Sequence, residues 1–318
     1  MLRRMYLKKL IICLIVIFSM FLVYLIPNKS NKINIKEELE YVDKNVKTAT
    51  IFLLDSNNYL ASTKVVISSE KIEEKAKELI ETLIVDGNKQ DNIPSGFRAV
   101  IPSNTKINNI IYDNNLIKLD FSKELMNTSA QNEEKIIEAI IYTMTSIDGI
   151  DKVIIYIDGN ILSTLPKSKI TLPSTLDRSF GINKEYNINK IDNINKTTVY
   201  YISEFNNTKY YVPVTKVNND DRNKIEIIVD ELSSSNIYKT NLMSYLNNNT
   251  KLLSVNENEN ELVMDFNSAI LSDINDKEIL EEVIYTISMS INDNYNVDTV
   301  VFNVENEEIY KSTIKTLE

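Results

Sequence analysis

The feature that most constrains this chain is a segment it carries twice. Leu116-Ile117-Lys118-Leu119-Asp120-Phe121-Ser122 returns as Glu261-Leu262-Val263-Met264-Asp265-Phe266-Asn267, 145 residues later. Each copy is followed by a second match: Ile140-Ile141-Tyr142-Thr143-Met144 after the first, Val283-Ile284-Tyr285-Thr286-Ile287 after the second. Solenoid repeats have periods of roughly 20–50 residues, so an offset this long means two similar domains in tandem.

Both copies read in the same order. In the first, Thr50 to Leu54 and Thr63 to Ile67 are short strands on either side of a turn at Asp55 to Asn58. Ile72, Ala76, Leu79, Ile80, Leu83 and Ile84 then recur at helical spacing, with Ser69 as the expected N-cap and Gly87 just past the end. Ile107 to Tyr112 and Leu116 to Phe121 form a strand pair about Asp113-Asn114-Asn115. A helix from about Gln131 to Ile147 and a strand from Asp151 to Asp158 complete the unit. The second copy gives strands at Thr198 to Ser203 and Tyr210 to Val214, and a helix marked by Ile225, Ile228, Val229 and Leu232. A hairpin follows from Leu252 to Val255 and Leu262 to Phe266. Asn275 and Glu278 are spaced as a capping box before Ile279, Leu280, Val283, Ile284, Ile287 and Ile291, and Val297 to Val304 closes the domain. The expected class is α+β, with one face of each sheet receiving both helices.

Upstream of the repeats, Leu10 to Ile26 contains no charged residue and follows Arg3, Arg4, Lys8 and Lys9. Seventeen apolar-dominated residues suffice for a short membrane span. The cations set the N-terminus in the cytoplasm and the bulk of the chain outside. Val23-Tyr24-Leu25-Ile26-Pro27 offers no small-residue cleavage site, so the segment reads as a retained single-pass anchor and not a cleaved signal. Cys13 follows Leu10-Ile11-Ile12, which lacks the small residue of a lipobox, and reads as a lipid-facing side chain. The expected organisation is a cytoplasmic tail at 1–9, an anchor at 10–26, a stalk at 27–47, domains at 48–165 and 197–315, and a connector at 166–196.

Composition removes most chemistry. There is no His and no Trp among 318 residues, with one Cys and five Gly, so Ser-His-Asp and Cys-His catalysis and any His-containing metal site are excluded. Gly87, Gly96, Gly149, Gly159 and Gly181 stand too far apart for a phosphate-binding loop. A net charge of −10 argues against nucleic acid as a partner. No catalytic, cofactor-binding or metal-ligating residue is assigned, and no cofactor is expected. Asp120 and Asp265 are the candidates for a carboxylate-dependent wall hydrolase, weighed against structural roles on their strands. Tyr200, Tyr201, Tyr210 and Tyr211 would supply sugar-stacking rings, against the reading that alternate ones pack in the core. Asp55 to Asn58 and Asp113 to Asn115 offer oxygens for calcium without EF-hand spacing, and Asn-rich turns arise because Asn tolerates positive φ. The sequons at Asn127, Asn195, Asn206 and Asn248 follow from Asn abundance alone.

Leu119-Asp120-Phe121-Ser122, the helix bearing Ile141-Tyr142-Thr143, the strand leading to Ile157-Asp158-Gly159 and the Pro94 to Pro102 segment ending in Ile101-Pro102 resemble the GerMN domain family of sporulation and spore-germination proteins. The resemblance covers about 48–165 and, more faintly, 197–312, where Asn303-Val304-Glu305-Asn306 replaces the Ile-Asp-Gly. It implies two tandem GerMN domains with a fold like the ring-building modules of secretion systems. It also implies a non-enzymatic role in the assembly that joins mother cell and forespore in an endospore former. Partners implied are the membrane and other sporulation membrane proteins or a second copy, with peptidoglycan as an alternative. Family members are usually lipoproteins, whereas this chain offers a spanning segment. An extracytoplasmic ligand sensor is a further alternative.

Overall fold

The computed structural model describes residues 47–234, 241–258 and 260–313, which lie in a compact unit beginning at Lys47. The expected tail, anchor and most of the stalk lie outside the described residues. Among those described, no helix is long and apolar enough to cross a membrane.

The first repeat comprises β1 (Thr48–Leu54), β2 (Leu60–Val66), α1 (Ile72–Leu83), β3 (Ile107–Asp113), β4 (Leu116–Phe121), α2 (Ala130–Met144), β5 (Lys152–Ile157) and β6 (Asn160–Ile161). After β7 (Glu185–Asn187), the second repeats the order as β8 (Asn195–Phe205), β9 (Thr208–Asn218), α3 (Lys224–Ser233), β10 (Leu252–Asn258), β11 (Glu261–Phe266), α4 (Glu281–Asn294), β12 (Thr299–Val304) and β13 (Glu307–Thr313). The mixed α+β class and the tandem arrangement hold.

The expectation of one sheet per repeat does not. Each repeat keeps its own four-stranded sheet, β3-β4-β5-β6 or β10-β11-β12-β13, in which the two middle strands run parallel. The N-terminal hairpins β1-β2 and β8-β9 instead share a third sheet that crosses from one repeat to the other. Two hydrophobic cores result, one under each repeat, and the first is completed by Leu172, Leu176, Phe180 and Ile182 of the connector. Every residue of α2 from Ile136 to Met144 is buried, so this helix is covered all round and not along a single stripe.

Several local expectations shift. Ser69 does not cap α1, which starts at Ile72; Ser68 and Ser69 instead donate backbone N–H groups to the Glu78 carboxylate at 3.0 and 3.3 Å. Gly87 lies beyond the end of α1, because Ile84 turns extended and bridges Ile101. Asn275 and Glu278 belong to a turn held on Asp273, and α4 begins only at Glu281, with no side-chain cap. β13, unassigned in the sequence reading, pairs with β12 along its length.

Each repeat is held internally by the same kinds of bond. Asn115 O accepts from Asp151 N at 2.9 Å while Asn260 O accepts from Asp298 N at 2.8 Å, and in each pair the Asn amide reaches the Asp carboxylate at 2.9 Å. The Thr143 hydroxyl accepts from Phe52 N at 3.1 Å, and on α4 the Ser290 hydroxyl, one turn beyond the Thr286 that matches Thr143 in sequence, accepts from Tyr200 N at 2.8 Å. A helix hydroxyl thus satisfies a strand N–H that faces no neighbouring strand.

Candidate functional site

The residues singled out from sequence are occupied by the fold. Asp120 Oδ1 accepts from Gly159 N at 3.0 Å, and Asp265 Oδ1 accepts from Asn306 N at 2.8 Å. In both repeats the carboxylate pins the turn between the last two strands. Those turns share one geometry despite different residues: Asp158 and Gly159 have φ of 47° and 78°, Glu305 and Asn306 have 53° and 70°. Positive φ at both central positions is the type I′ hairpin turn. Asn114 and Asn115, also both at positive φ, form the hairpin turn between β3 and β4. Asp55 is buried; one carboxylate oxygen accepts from Asn57 N and Tyr59 N at 2.8 Å each, the other from the Tyr210 hydroxyl at 2.9 Å. That last bond joins the two repeats. Among the described residues, no cluster of His, Cys, Asp or Glu is placed to hold a metal ion.

The tyrosines do not alternate between core and surface. Tyr200 and Tyr201 are both buried, because β8 is covered on both faces, and Tyr210 on β9 is buried as well. Tyr211 lies parallel to Tyr285 with ring centroids 5.8 Å apart. Burial, with help from Glu282 and Tyr285, pushes its phenol up to about 12.

Tyr211 and Tyr285 line a cleft of about 510 Å³ between the repeats. Its walls come from β1 and β2 (Phe52, Ser62, Lys64), from β9 (Lys209, Tyr210, Tyr211), from α4 and from the Pro94–Phe97 segment. That volume falls in the range of small-molecule sites, ~300–1,000 Å³. No lining residue is acidic, although the chain carries −10 overall. Lys209 pairs with Glu282 at 2.6 Å, and Lys64 has no ion-pair partner among the described residues.

The floor of the cleft is the connector's Arg178. Its guanidinium donates to Thr145 Oγ1 at 3.0 Å and Ser146 Oγ at 2.9 Å, just past α2, and forms an ion pair with Asp293 on α4. The same carboxylate accepts from the Tyr200 hydroxyl at 3.1 Å, and the Arg178 carbonyl accepts from the Tyr142 hydroxyl at 3.3 Å. Burial opposes the charge on Arg178, but Asp293 outweighs it and keeps the guanidinium protonated. The Tyr142 ring lies 5.1 Å from the cation.

A second knot lies where β2 meets β9. Asn183, at φ 47°, accepts from Leu60 N at 2.9 Å and donates to Leu60 O at 2.8 Å and Pro213 O at 2.7 Å. One side chain replaces the ladder bonds that Pro213, lacking an N–H, cannot complete. Its own N–H donates to Glu138 on α2 at 2.9 Å, and Lys184 reaches Glu138 at 3.3 Å and Glu134 at 2.7 Å. Burial lifts the Glu138 carboxyl to about 7 despite these partners. Arg178, Asn183 and Lys184 were not legible as site residues. They lie in the segment with the least periodicity, and the sole cue was Arg178 being one of three arginines beyond the N-terminal pair.

This duplicated architecture is matched in known proteins. The family model described as "Germane: Sporulation and spore germination" matches residues 50–163 and again 198–310. Spore germination protein GerM of Bacillus subtilis is 30% identical over 259 residues, covering 80% of this chain and 70% of that protein. The solved tandem GerMN domains of the sporulation protein GerM from Bacillus subtilis superpose with a TM-score of 0.74 at 28% identity, covering 82% of this chain and 92% of that one. With both repeats matched and the tandem fold shared, the chain belongs to the Germane family of sporulation and spore-germination proteins.

Proposed function

We propose that this protein is a membrane-anchored, extracytoplasmic assembly module of spore formation that works by binding other proteins and carries out no chemistry itself. Its place would be the complex joining mother cell and forespore, with the anchor at residues 10–26 holding the repeats in the space between their membranes. The observation that carries this reading is the use of Asp120 and Asp265. Each carboxylate is bound to the backbone of its own repeat's last turn, so the pair named for a wall hydrolase is committed to holding the fold. A general acid needs a carboxyl free to reach its substrate.

The rigid seam supports the same reading. Ion pairs, an Asn bridge and a shared sheet lock the repeats into one body, which suits a surface that presents two modules in a fixed relation. Deletion of the gene in a spore former, with in vivo crosslinking of the tagged protein during sporulation, tests the proposal. A block at or after engulfment together with capture of sporulation membrane proteins is expected. Normal sporulation, or release of soluble muropeptides by the purified protein, overturns it.

A further inference from the structure

The shared sheet is not continuous, and the place where it opens faces the cleft. β2 and β9 meet at one antiparallel pair, Ser62 with Tyr211. On one side of that pair Asn183 bridges Leu60 and Pro213. On the other side, continuing the register would set Lys64 directly opposite Lys209. Like charges directly opposite one another destabilise a strand pair, which gives a physical reason for the strands to part here.

The parting leaves backbone groups without partners. In an antiparallel ladder, residues alternate between those bonded to one neighbour and those facing the other way. Phe52 N points out of the β1-β2 ladder to Thr143, and Leu60 N points out of it to Asn183, which fixes the alternation. Lys64 and Val66 therefore direct their N–H and C=O groups toward β9, where no strand pairs with them among the described residues. On β9, Tyr200 N and Ile202 N point out of the β8-β9 ladder to Ser290 and Met243, so Lys209 turns its backbone groups toward β2. The fork is thus lined by strand edges on both sides, with Lys64 and Val66 exposed to solvent.

We infer that this fork is a docking site for an extended, acidic peptide segment of a partner protein, which adds to the free edge of β2 by main-chain hydrogen bonds and sets its carboxylates against Lys64. Strand addition supplies affinity through the backbone and specificity through alternate side chains. Charge complementarity selects the occupant: no acidic side chain lines the cleft, and of its cations Arg178 and Lys209 are held by Asp293 and Glu282 while Lys64 has no ion-pair partner among the described residues. The stacked Tyr211 and Tyr285, both half-buried, offer apolar surface for the side chains between the carboxylates. This inference rests on the protein being a binding module and names the chemistry of what it binds.

The test is fluorescence anisotropy of the full-length protein with a labelled hexapeptide alternating glutamate and valine. Its controls are the same peptide with lysine for glutamate, the acidic peptide N-methylated on alternate residues, and soluble glycan fragments of the cell wall. The acidic peptide is expected to bind, with the lysine and N-methylated forms weaker by about tenfold or more. Lys64→Glu, at an exposed position, is expected to reverse the charge preference. Equal binding of acidic and basic peptides, undiminished binding of the N-methylated form, an indifferent Lys64→Glu variant, or capture of glycan alone would each overturn the inference. Peptide failure with intact crosslinking to sporulation proteins overturns this inference alone, whereas failed crosslinking overturns the assembly role.

Discussion

Arg178 and Asp293 form an ion pair between the connector and the last helix, and the Asp293 side chain is only 1% exposed. The guanidinium is also bound to Thr145 and Ser146 beyond α2, so one side chain reaches both repeats. Removing it leaves a buried carboxylate with the Tyr200 hydroxyl as its one remaining hydrogen-bond partner among the described residues. Arg178→Met should therefore lower unfolding stability by about 3–5 kcal/mol. Replacing both members with apolar residues should recover much of that loss. Denaturant titration of the two variants checks the difference.

Glu138 gives a pH dependence with a defined sign. Burial raises its carboxyl to about 7, above its value in the unfolded chain, so the folded protein holds this proton more tightly. The stability it contributes is present below the ordinary carboxylate pKa and is lost as the pH rises towards 7. Glu133 acts in the opposite sense: burial raises its pKa, but the Ser168 and Lys167 N–H groups outweigh burial and lower it, so its contribution is lost in acid. The Glu138→Gln variant isolates the first effect. Its melting temperature relative to the parent should climb between about pH 4.5 and 7, by up to about 3 kcal/mol in equivalent stability, and then level off.

The paired turn locks predict different outcomes for equivalent residues. Asp120→Asn and Asp265→Asn should each cost about 1–2 kcal/mol by weakening a charge-assisted bond to a turn N–H, without altering any catalytic property. Gly159, at φ 78°, faces open space, so Gly159→Ala should destabilise by about 1 kcal/mol through backbone strain alone. Asn306→Gly, at the equivalent φ of 70°, should be neutral or slightly stabilising. Thermal denaturation of the four variants decides whether the repeats share one turn chemistry.

Gly96 meets the tip of the β8-β9 hairpin. A Cβ built there would lie 2.5 Å from the Phe205 ring, and its φ is +91°. Gly96→Ala should cost about 1–3 kcal/mol and displace Phe205 at the cleft wall. Combining it with Phe205→Leu should remove the steric part and leave the backbone part. A double-mutant cycle in denaturant measures the two separately.

Much of the fold was legible because it depends on local chemistry. Ile117, Leu119 and Phe121 alternate with Lys118 and Asp120, and that spacing alone makes β4 a strand with one buried face. The repeat of Asp-Phe at 120–121 and 265–266 was enough to predict that the second copy folds like the first, even where its closing turn reads Glu305-Asn306 and not Asp158-Gly159. The helix starts failed where distant partners decided them. Ser69 has the chemistry of an N-cap, but Glu78 takes its N–H; Asn275 and Glu278 have the spacing of a capping box, but Asp273 gathers the Asn275 N–H into a turn before α4 begins.

What the sequence determined by itself was the tandem α+β class, the family and the absence of His-based chemistry, since these follow from residue types and from patterns within each repeat. Only the tertiary structure decided that the two hairpins share a sheet, that the connector is a structural seam, and that the strands part at Lys64 and Lys209. These depend on contacts between residues more than a hundred positions apart, such as Asn183 with Leu60 and Arg178 with Asp293. No local pattern encodes them, because a side chain's partner across a seam is set by where the whole chain returns and not by its neighbours in sequence.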